Sequence, residues 1–399
     1  MTFTAINTPI KINVVHFVNI ITLFMGVLLN IVAYQSVIVV IVAAIFYGFG
    51  VCVLRLPFLG GYFERYGYRQ VFIICWFMSG VSAIYTNYLG DVGADSARFF
   101  DLAVNELYEG SSLLDFQSVT EGAGAVVVWR HVNALFSMIG VESVRYVGIL
   151  TNICAVAFSC VFSVKIARLI YGNDAARLKR LILLFSCLGI FWLFATMYLR
   201  DAFVLLGVTL LIYSWTLFIA RPSVTNLIIL LIFNITAVNS LEFFRAEFKY
   251  LSYPLFASYI VSFLMFDRSS VQKKLSILFL IIGCVVVFLG FYLNNINTIL
   301  LSIMGNNVGY TSSSMAAASS GSLGAAIIVD QPFPVRLTIG LFYLYVQPIP
   351  FWVGFQFESA YHLFKSLNVL VLYFLIPLLT LSLLIIFKYR HFHTPALLL

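Results

Sequence analysis

Residues 181–220 read LILLFSCLGIFWLFATMYLRDAFVLLGVTLLIYSWTLFIA, two long apolar runs separated only by Arg200 and Asp201. A helix needs about 20 residues to cross the hydrocarbon core of a bilayer, and the length of each run is close to that. We therefore predict two antiparallel membrane spans joined by a very short turn. Both charges then lie at headgroup depth, where ionisable side chains are costly unless they are paired, snorkelling or functional.

The rest of the chain repeats this pattern. Of its 399 residues, 62% are hydrophobic and only 10% are charged, whereas soluble domains average about 25% charged residues. This composition excludes a soluble domain, a disordered chain and a disulfide-rich secreted module. Apolar stretches of spanning length lie at approximately 13–33, 36–54, 70–89, 146–166, 181–199, 202–220, 225–243, 250–266, 275–293 and 366–387.

One further apolar segment, 337–357, is interrupted by Pro348 and Pro350. Because proline breaks helix regularity, we interpret it as a re-entrant or interfacial piece. The prediction is an all-α, polytopic integral membrane protein, a single membrane domain over 1–399 with about ten transmembrane helices (range about 9–12).

The charge distribution orients these spans. With ten spans and both termini cytoplasmic, the cytoplasmic segments hold a balance of +12 and the outer segments −5, which together give the net charge of +7. Cytoplasmic loops of membrane proteins carry such an excess of Lys and Arg. The basic excess therefore indicates orientation, and we predict no nucleic-acid partner. The cysteines fall in apolar stretches and the histidines are scattered, so we expect no metal site, no disulfide and no cofactor.

Two outer segments are too long to be simple connectors. The acidic loop 90–145 holds half of the acidic residues, and 294–336 contains a Gly/Ser/Ala-rich run at 305–326 that is typical of flexible chain. That run is either a mobile lid or a loop without a role. In the acidic loop, Phe99, Leu102, Ala103 and Leu107 form one helical stripe. We therefore expect an amphipathic helix at the membrane surface.

The acidic loop supplies candidate site residues. Asp95 begins the amphipathic segment, and it is either a helix N-cap or a base facing the outer compartment; Arg98 is a supporting candidate. Further on, 124–140 is apolar apart from Arg130, His131 and Asn133, and we expect it to dip into the interface. Arg130 and His131 would point about 100° apart on a helix, and Arg130 is the better candidate.

Three arginines recur at outer hairpins: Arg200, Arg245 and Arg336. Several cations at one depth suggest an anionic ligand, because a guanidinium binds phosphate oxygens in pairs. Simpler roles stay open. Arg200 with Asp201 could cap a helix hairpin, and Glu242 with Arg245, three residues apart, could form a structural ion pair.

A resemblance follows from the order of these features: GADSARFFDLA (93–103), then MYLRDAFVLLGVTLL (197–211), then a long outer loop and a PFPVR…VQPIPFW region. This order resembles bacterial O-antigen and capsular polysaccharide repeat-unit polymerases (Wzy type) and related polyprenyl-lipid-dependent membrane glycosyltransferases. The resemblance implies a bacterial inner-membrane enzyme that joins undecaprenyl-diphosphate-linked oligosaccharides on the outer face. It also implies chain-length regulator and flippase proteins as partners.

Under this resemblance Asp95 is the catalytic carboxylate, and Arg200, Arg245 and Arg336 bind the substrate diphosphate. Supporting residues are Asp201, Glu242, Arg98 and Arg130. Two alternatives remain: a transferase that adds a single sugar from a polyprenyl phosphate, and a flippase or transporter. A proton-coupled transporter would carry charges at mid-membrane depth, whereas nearly all charges here lie at the ends of spans.

Overall fold

The computed structural model describes residues 14–56, 59–89, 94–105, 123–141, 145–221, 223–244, 351–356 and 359–389. Within these ranges every regular element is helical and none is a strand, which confirms the all-α prediction. The chain divides into two compact units, residues 1–252 with 357–364, and residues 253–356 with 365–399. The helices are α1 Val14–Tyr34, α2 Ile38–Val53, α3 Tyr62–Leu89, α4 Ala94–Phe100, α5 Ala123–Ser137, α6 Arg145–Tyr171, α7 Ala175–Cys187, α8 Gly189–Thr196, α9 Asp201–Ala220, α10 Val224–Phe244 and α11 Ala360–Tyr389.

Helices cover eight of the ten ranges predicted as spans; the other two, 250–266 and 275–293, lie outside the described residues. Four helices of the described chain are long and apolar enough to cross a membrane: Phe17–Tyr34, Arg145–Tyr171, Asp201–Phe218 and Ala360–Leu378. The bent pair α7–α8 makes a fifth if it counts as one span. The structure thus supports four or five candidate spans, and the count of about ten stays a prediction. Most of 337–357 is likewise outside the described residues, apart from a 3₁₀ turn at Phe351–Gln356.

Several helices expose large apolar side chains to their surroundings. On α1 these include Phe17, Ile20 and Phe24, and on α11 they include Phe374 and Leu378. Contiguous apolar surface of this kind is a liability in water, whereas lipid tails are as apolar as these side chains. The exposed faces therefore fit contact with a bilayer.

Helix α6 lies at the centre of the first unit. Its buried residues occur on every side of the helix, as expected for a helix that is apolar all round. It packs against α3, α8, α9 and α5. Arg145 opens this helix and Arg168 lies in its last turn; we call the two ends of the first unit the Arg145 end and the Arg168 end.

The predicted span 181–199 is not one straight helix. Asp174 caps the start of α7, where its carboxylate accepts from the backbone N–H groups of Ala176 and Arg177. Leu188 then adopts an extended conformation, and α7 and α8 meet at 57°. The indole Nε1 of Trp192 donates to the Ser186 carbonyl across this bend at 2.8 Å. A side chain thus supplies a bond where the helix ladder is interrupted.

The apolar stripe of 90–110 packs into the protein. Phe99 and Ala103 are buried in the main hydrophobic cluster, and Leu107 is outside the described residues. A π-helical turn over Asp101–Asn105 follows α4, and Val104 is also buried in this turn. The segment therefore contributes to the core instead of presenting its stripe to the membrane surface.

Asn30 joins α1 to α3. Its buried Nδ2 donates to the Trp76 carbonyl at 3.0 Å and to the Gly26 carbonyl at 2.9 Å. Its Oδ1 accepts from the Ser79 hydroxyl at 3.2 Å. Such interhelical bonds hold membrane helices together where apolar packing gives little preference.

We expect Asn30→Ala to lower the free energy of unfolding by about 1–3 kcal/mol, because it removes the buried amide that bonds α1 to the Trp76 carbonyl and the Ser79 hydroxyl of α3. The midpoint of thermal unfolding of the purified chain in detergent measures this. Thr22→Val is the matched control, since its exposed hydroxyl bonds only to the Val18 carbonyl of its own helix. Equal midpoints for the two variants would contradict the role given to Asn30.

If α6 crosses the membrane, residues near its two ends should be accessible from opposite sides of the membrane. Met138, seven residues before α6, is 82% exposed, and Ala176 follows the other end of α6 and is also exposed. We expect Met138→Cys to react with a membrane-impermeant maleimide from one side of the membrane and Ala176→Cys from the other. The unsubstituted chain gives the background from its own cysteines. Labelling of both sites from the same side would show that α6 does not cross.

Candidate functional site

The connection between α8 and α9 forms a buried corner, Met197–Arg200. The backbone here is not helical, yet Met197, Tyr198 and Leu199 are buried. A buried peptide group without a hydrogen bond is destabilising, and in lipid no water is present to supply one. The corner therefore needs partners from other elements.

Side chains of α6 and α4 provide those partners. The Nδ2 of Asn152, in the middle of α6, donates to the Met197 carbonyl at 2.7 Å. The same amide's Oδ1 accepts from Trp129 Nε1 of α5 at 3.0 Å. From α4, the Ser96 hydroxyl accepts from the backbone N–H of Tyr198 at 3.1 Å. Three elements thus fix the corner through hydrogen bonds to its backbone and to each other.

Tyr198 packs into the gap left by a glycine. A Cβ added to Gly148 of α6 would lie 2.3 Å from the Tyr198 hydroxyl oxygen, so a larger residue there would displace the ring. The ring also contacts Trp129, with centroids 4.9 Å apart, and Phe100 of α4, with centroids 5.3 Å apart. Aromatic contacts therefore hold α4 against the corner.

Two arginines contact aromatic rings of α4 at this end. The guanidinium carbon of Arg145 lies 5.5 Å from the centroid of the Phe100 ring, and that of Arg200 lies 5.8 Å from the centroid of Phe99. Stacking of a guanidinium on an aromatic face orients the cation without neutralising its charge. Arg145 and Arg200 therefore bring two positive charges to the Arg145 end, one at the start of α6 and one at the start of α9.

A small polar cavity lies beside these residues, with a volume of about 20 Å³. That is room for about one water molecule. Among the atoms of its lining, the Tyr34 and Thr196 hydroxyl oxygens are buried without a hydrogen-bond partner. Buried groups of this kind call for a water or a ligand atom. The full lining is Tyr34, Ser82, Ala83, Thr86, Ser96, Arg145, Ile149, Thr196, Met197 and Tyr198.

The structure brings some of the predicted site residues together. Asp95 lies in the first turn of α4, one residue before Ser96, although its side chain is outside the described residues. Arg200 precedes α9, and Asp201 is the first residue of α9. Arg98 is exposed on α4. The helix that carries Asp95 therefore packs on the corner that carries Arg200.

Other predicted residues cannot be placed. Arg245 and Arg336 lie outside the described residues, and so does the side chain of Glu242 in the last turn of α10. The final residue of α10, Phe244, stacks on Phe203 of α9 with ring centroids 5.2 Å apart. The end of α10 thus packs near the start of α9.

Arg130 is fully buried in the first unit. Its Nε donates to the Leu102 carbonyl in the π-helical turn at 2.9 Å, so it fastens that turn to α5. The neighbouring His131 is exposed, and its Nδ1 lies 2.8 Å from the Val127 carbonyl oxygen. Arg130 therefore acts as a positioning residue behind α4.

Sequence reasoning missed three residues of this end: Asn152, Arg145 and Ser96. The signal for Asn152 was present, since it is a lone amide inside an otherwise apolar span, and polar residues in such spans mark contacts between helices. Arg145 directly precedes that span. Ser96 carries no comparable signal, because its role depends on the fold of the corner.

We expect Asn152→Leu to destabilise the chain by about 2–4 kcal/mol, because it leaves the Trp129 indole N–H buried without its acceptor and removes the amide that donates to the Met197 carbonyl. The midpoint of thermal unfolding in detergent measures this. Thr151→Val is the matched control, since its hydroxyl bonds only to the Val147 carbonyl within α6. An equal drop in the unfolding midpoint for Thr151→Val and Asn152→Leu would contradict the role given to the Asn152 amide.

The corner combines two oriented cations, several hydroxyl groups and a helix that carries a carboxylic residue. Within the part of the chain that the structure describes, no cluster of His, Cys, Asp and Glu has the arrangement of a metal site. Such a set can bind an anion and orient a hydroxyl group through charge and hydrogen bonds. No protein-family model, curated protein or solved structure matches this chain.

Proposed function

We propose that this chain is a membrane glycosyltransferase that joins polyprenyl-diphosphate-linked oligosaccharide repeat units, as a polysaccharide polymerase of the bacterial inner membrane. The observation that carries the proposal is the pair Arg145 and Arg200, which contact the adjacent rings of Phe100 and Phe99 in α4, at one end of the apolar helices. The same end was assigned to the outer face by the charge distribution of the sequence. The reaction would therefore take place on the outer side of the membrane.

The chemistry asks for two kinds of group. The bond between the sugar anomeric carbon and the diphosphate oxygen breaks, and the diphosphate leaves with the electron pair. Cations that bind this leaving group lower the barrier because negative charge develops on it in the transition state. Arg145 and Arg200 supply two guanidinium groups for this purpose, and each can bind phosphate oxygens in pairs.

The second group acts on the acceptor. A hydroxyl of another lipid-linked repeat unit forms the new bond to the anomeric carbon, and its proton passes to a carboxylate acting as general base. We assign this role to Asp95. Its position in the first turn of α4, next to Ser96, brings it to the corner that carries Arg200.

The depth of the site suits a lipid-linked substrate. Arg145 begins α6 and Arg200 directly precedes α9, two of the helices long and apolar enough to cross a bilayer. The diphosphate of a polyprenyl-linked sugar lies where the lipid chain meets water, at the headgroups. Cations at the ends of such helices meet the diphosphate at that level without entering the hydrocarbon core.

Two further arginines complete the proposal. Arg245 follows Phe244 directly in sequence, and Phe244 stacks on α9 near the corner. We propose that Arg245 and Arg336 also bind the diphosphate, with Glu242 and Asp201 as supporting residues.

We expect Arg145→Ala and Arg200→Ala each to reduce polymer at least about tenfold, because each removes a charge-assisted contact to the leaving group. The measurement is the ladder of surface polysaccharide on a gel, in the natural host lacking the chromosomal gene and carrying each variant. Arg55→Ala is the matched control, since Arg55 is exposed in the connection between α2 and α3 and far in sequence from the corner. It should give the normal ladder.

The pattern on the gel separates the candidate functions. A polymerase defect leaves a single repeat unit in place of the ladder, whereas a host that lacks one sugar in every band indicates the single-sugar transferase. Complete loss of surface polysaccharide, with repeats held on the inner leaflet, indicates a flippase. A normal ladder from both arginine variants would refute the diphosphate site.

A further inference from the structure

A second cavity, of about 280 Å³, lies at the Arg168 end of the first unit. It is bounded by the last turns of α6, the end of α9 and the start of α3. The charged and polar residues of its lining are Glu64, Lys165, Arg168, Asn173, Tyr213 and Arg221. These residues come from distant parts of the sequence, so only the fold brings them together.

Glu64 and Arg168 form the fixed part of the lining. Arg168 Nη1 donates to Glu64 Oε1, and its Nε donates to Asn173 Oδ1 at 2.9 Å. Glu64 is almost completely buried. Gly61 permits this close pair, because a Cβ there would lie 2.5 Å from Glu64 Oε2 and 2.8 Å from Arg168 Nη1. Arg168 thus engages one oxygen of the cavity's carboxylate, whereas the other, Oε2, is buried without a hydrogen-bond partner.

The lining retains an excess of two positive charges. This excess is the formal balance of Lys165, Arg168 and Arg221 against Glu64. Lys165 Nζ lies 5.4 Å from the centroid of the Tyr213 ring, which helps to orient the ammonium group. Arg221 follows the last residue of α9 and is exposed. Three cations around one cavity, with one acid among them, repel each other, and a bound anion would relieve that repulsion.

Membrane orientation and helix dipoles account for only part of this arrangement. Basic residues are expected at a cytoplasmic end, and a cation is favourable in the last turn of a helix. Neither effect requires that the side chains share one cavity. Arg180 is a basic residue near the same end that does not line the cavity, since it is exposed on α7.

We propose that the Arg168-end cavity binds a phosphate ester, with Lys165 and Arg221 as its charged ligands and the Glu64–Arg168 pair as the wall behind it. Its volume is close to the lower end of ligand cavities, about 300 Å³, which suits a headgroup-sized anion. A phospholipid headgroup and a soluble phosphate ester share this chemistry. The proposal is independent of the proposed function, because the two sites lie at opposite ends of α6.

The test uses the full chain purified in detergent, with bound ligand measured by native mass spectrometry. Short-chain phosphatidylglycerol probes the lipid source and glycerol 3-phosphate probes the soluble source. We expect Arg221→Ala to weaken binding by about tenfold, as expected for loss of one charge-assisted contact. Arg180→Ala removes the same charge from the same helical unit and should bind as the unsubstituted chain does.

Each outcome decides the proposal. Binding of phosphatidylglycerol alone, lost in Arg221→Ala, supports a lipid headgroup, and equal binding of glycerol 3-phosphate supports a soluble ester. Lys165→Gln provides a second variant with the same expected loss if Arg221→Ala is poorly folded. Equal binding by Arg221→Ala and Arg180→Ala, or equal binding of a short-chain diacylglycerol without phosphate, would overturn the proposal.

Discussion

The amide of Asn152 is the interaction on which the Arg145 end depends. A membrane helix satisfies its own backbone, but a corner between two helices does not, and the hydrocarbon region offers no water. Asn152 meets this requirement with one donor and one acceptor, which bind the Met197 carbonyl and the Trp129 indole. The position of Tyr198, the packing of α4 and the direction of Arg200 all follow from the shape that this amide stabilises.

Helix α6 gives the first unit two chemically different ends. Its middle turns carry no charged side chain and are buried among other helices on every side. Charged side chains are therefore confined to its ends, where Arg145 and Arg168 each meet groups from other helices. The sequence contains few charged residues, and in the first unit several of them are grouped at the two ends of α6.

The sequence predicted helices well and their interruptions poorly. Long apolar runs predicted α1, α9 and α10 to within a few residues, because hydrophobic length is a property of each segment alone. The bend at Leu188 was missed because the run 181–199 is apolar across it, and the bond from Trp192 depends on the folded geometry. The stripe through Phe99 was recognised, but only tertiary packing decides whether such a stripe faces lipid or protein.

In the candidate site, too, some residues could be predicted from the sequence and others could not. Arg200 was found because a charged pair between two apolar runs is conspicuous, and Arg130 was separated from His131 by helical geometry. The role of Ser96 could not be found, because a serine hydroxyl that accepts from a backbone N–H about one hundred residues away leaves no local pattern. A charged pair between two apolar runs is visible in a sequence, whereas a serine that completes the backbone of a distant segment is not.

The order of the corner's partners along the chain has a consequence for biosynthesis. Ser96, Trp129 and Asn152 all precede Met197, so a ribosome makes them first. Because chains emerge from their N-terminus, these side chains are available when the α8–α9 corner enters the membrane. The non-helical backbone of the corner can therefore find its hydrogen bonds on arrival, with no wait for a later segment of the protein.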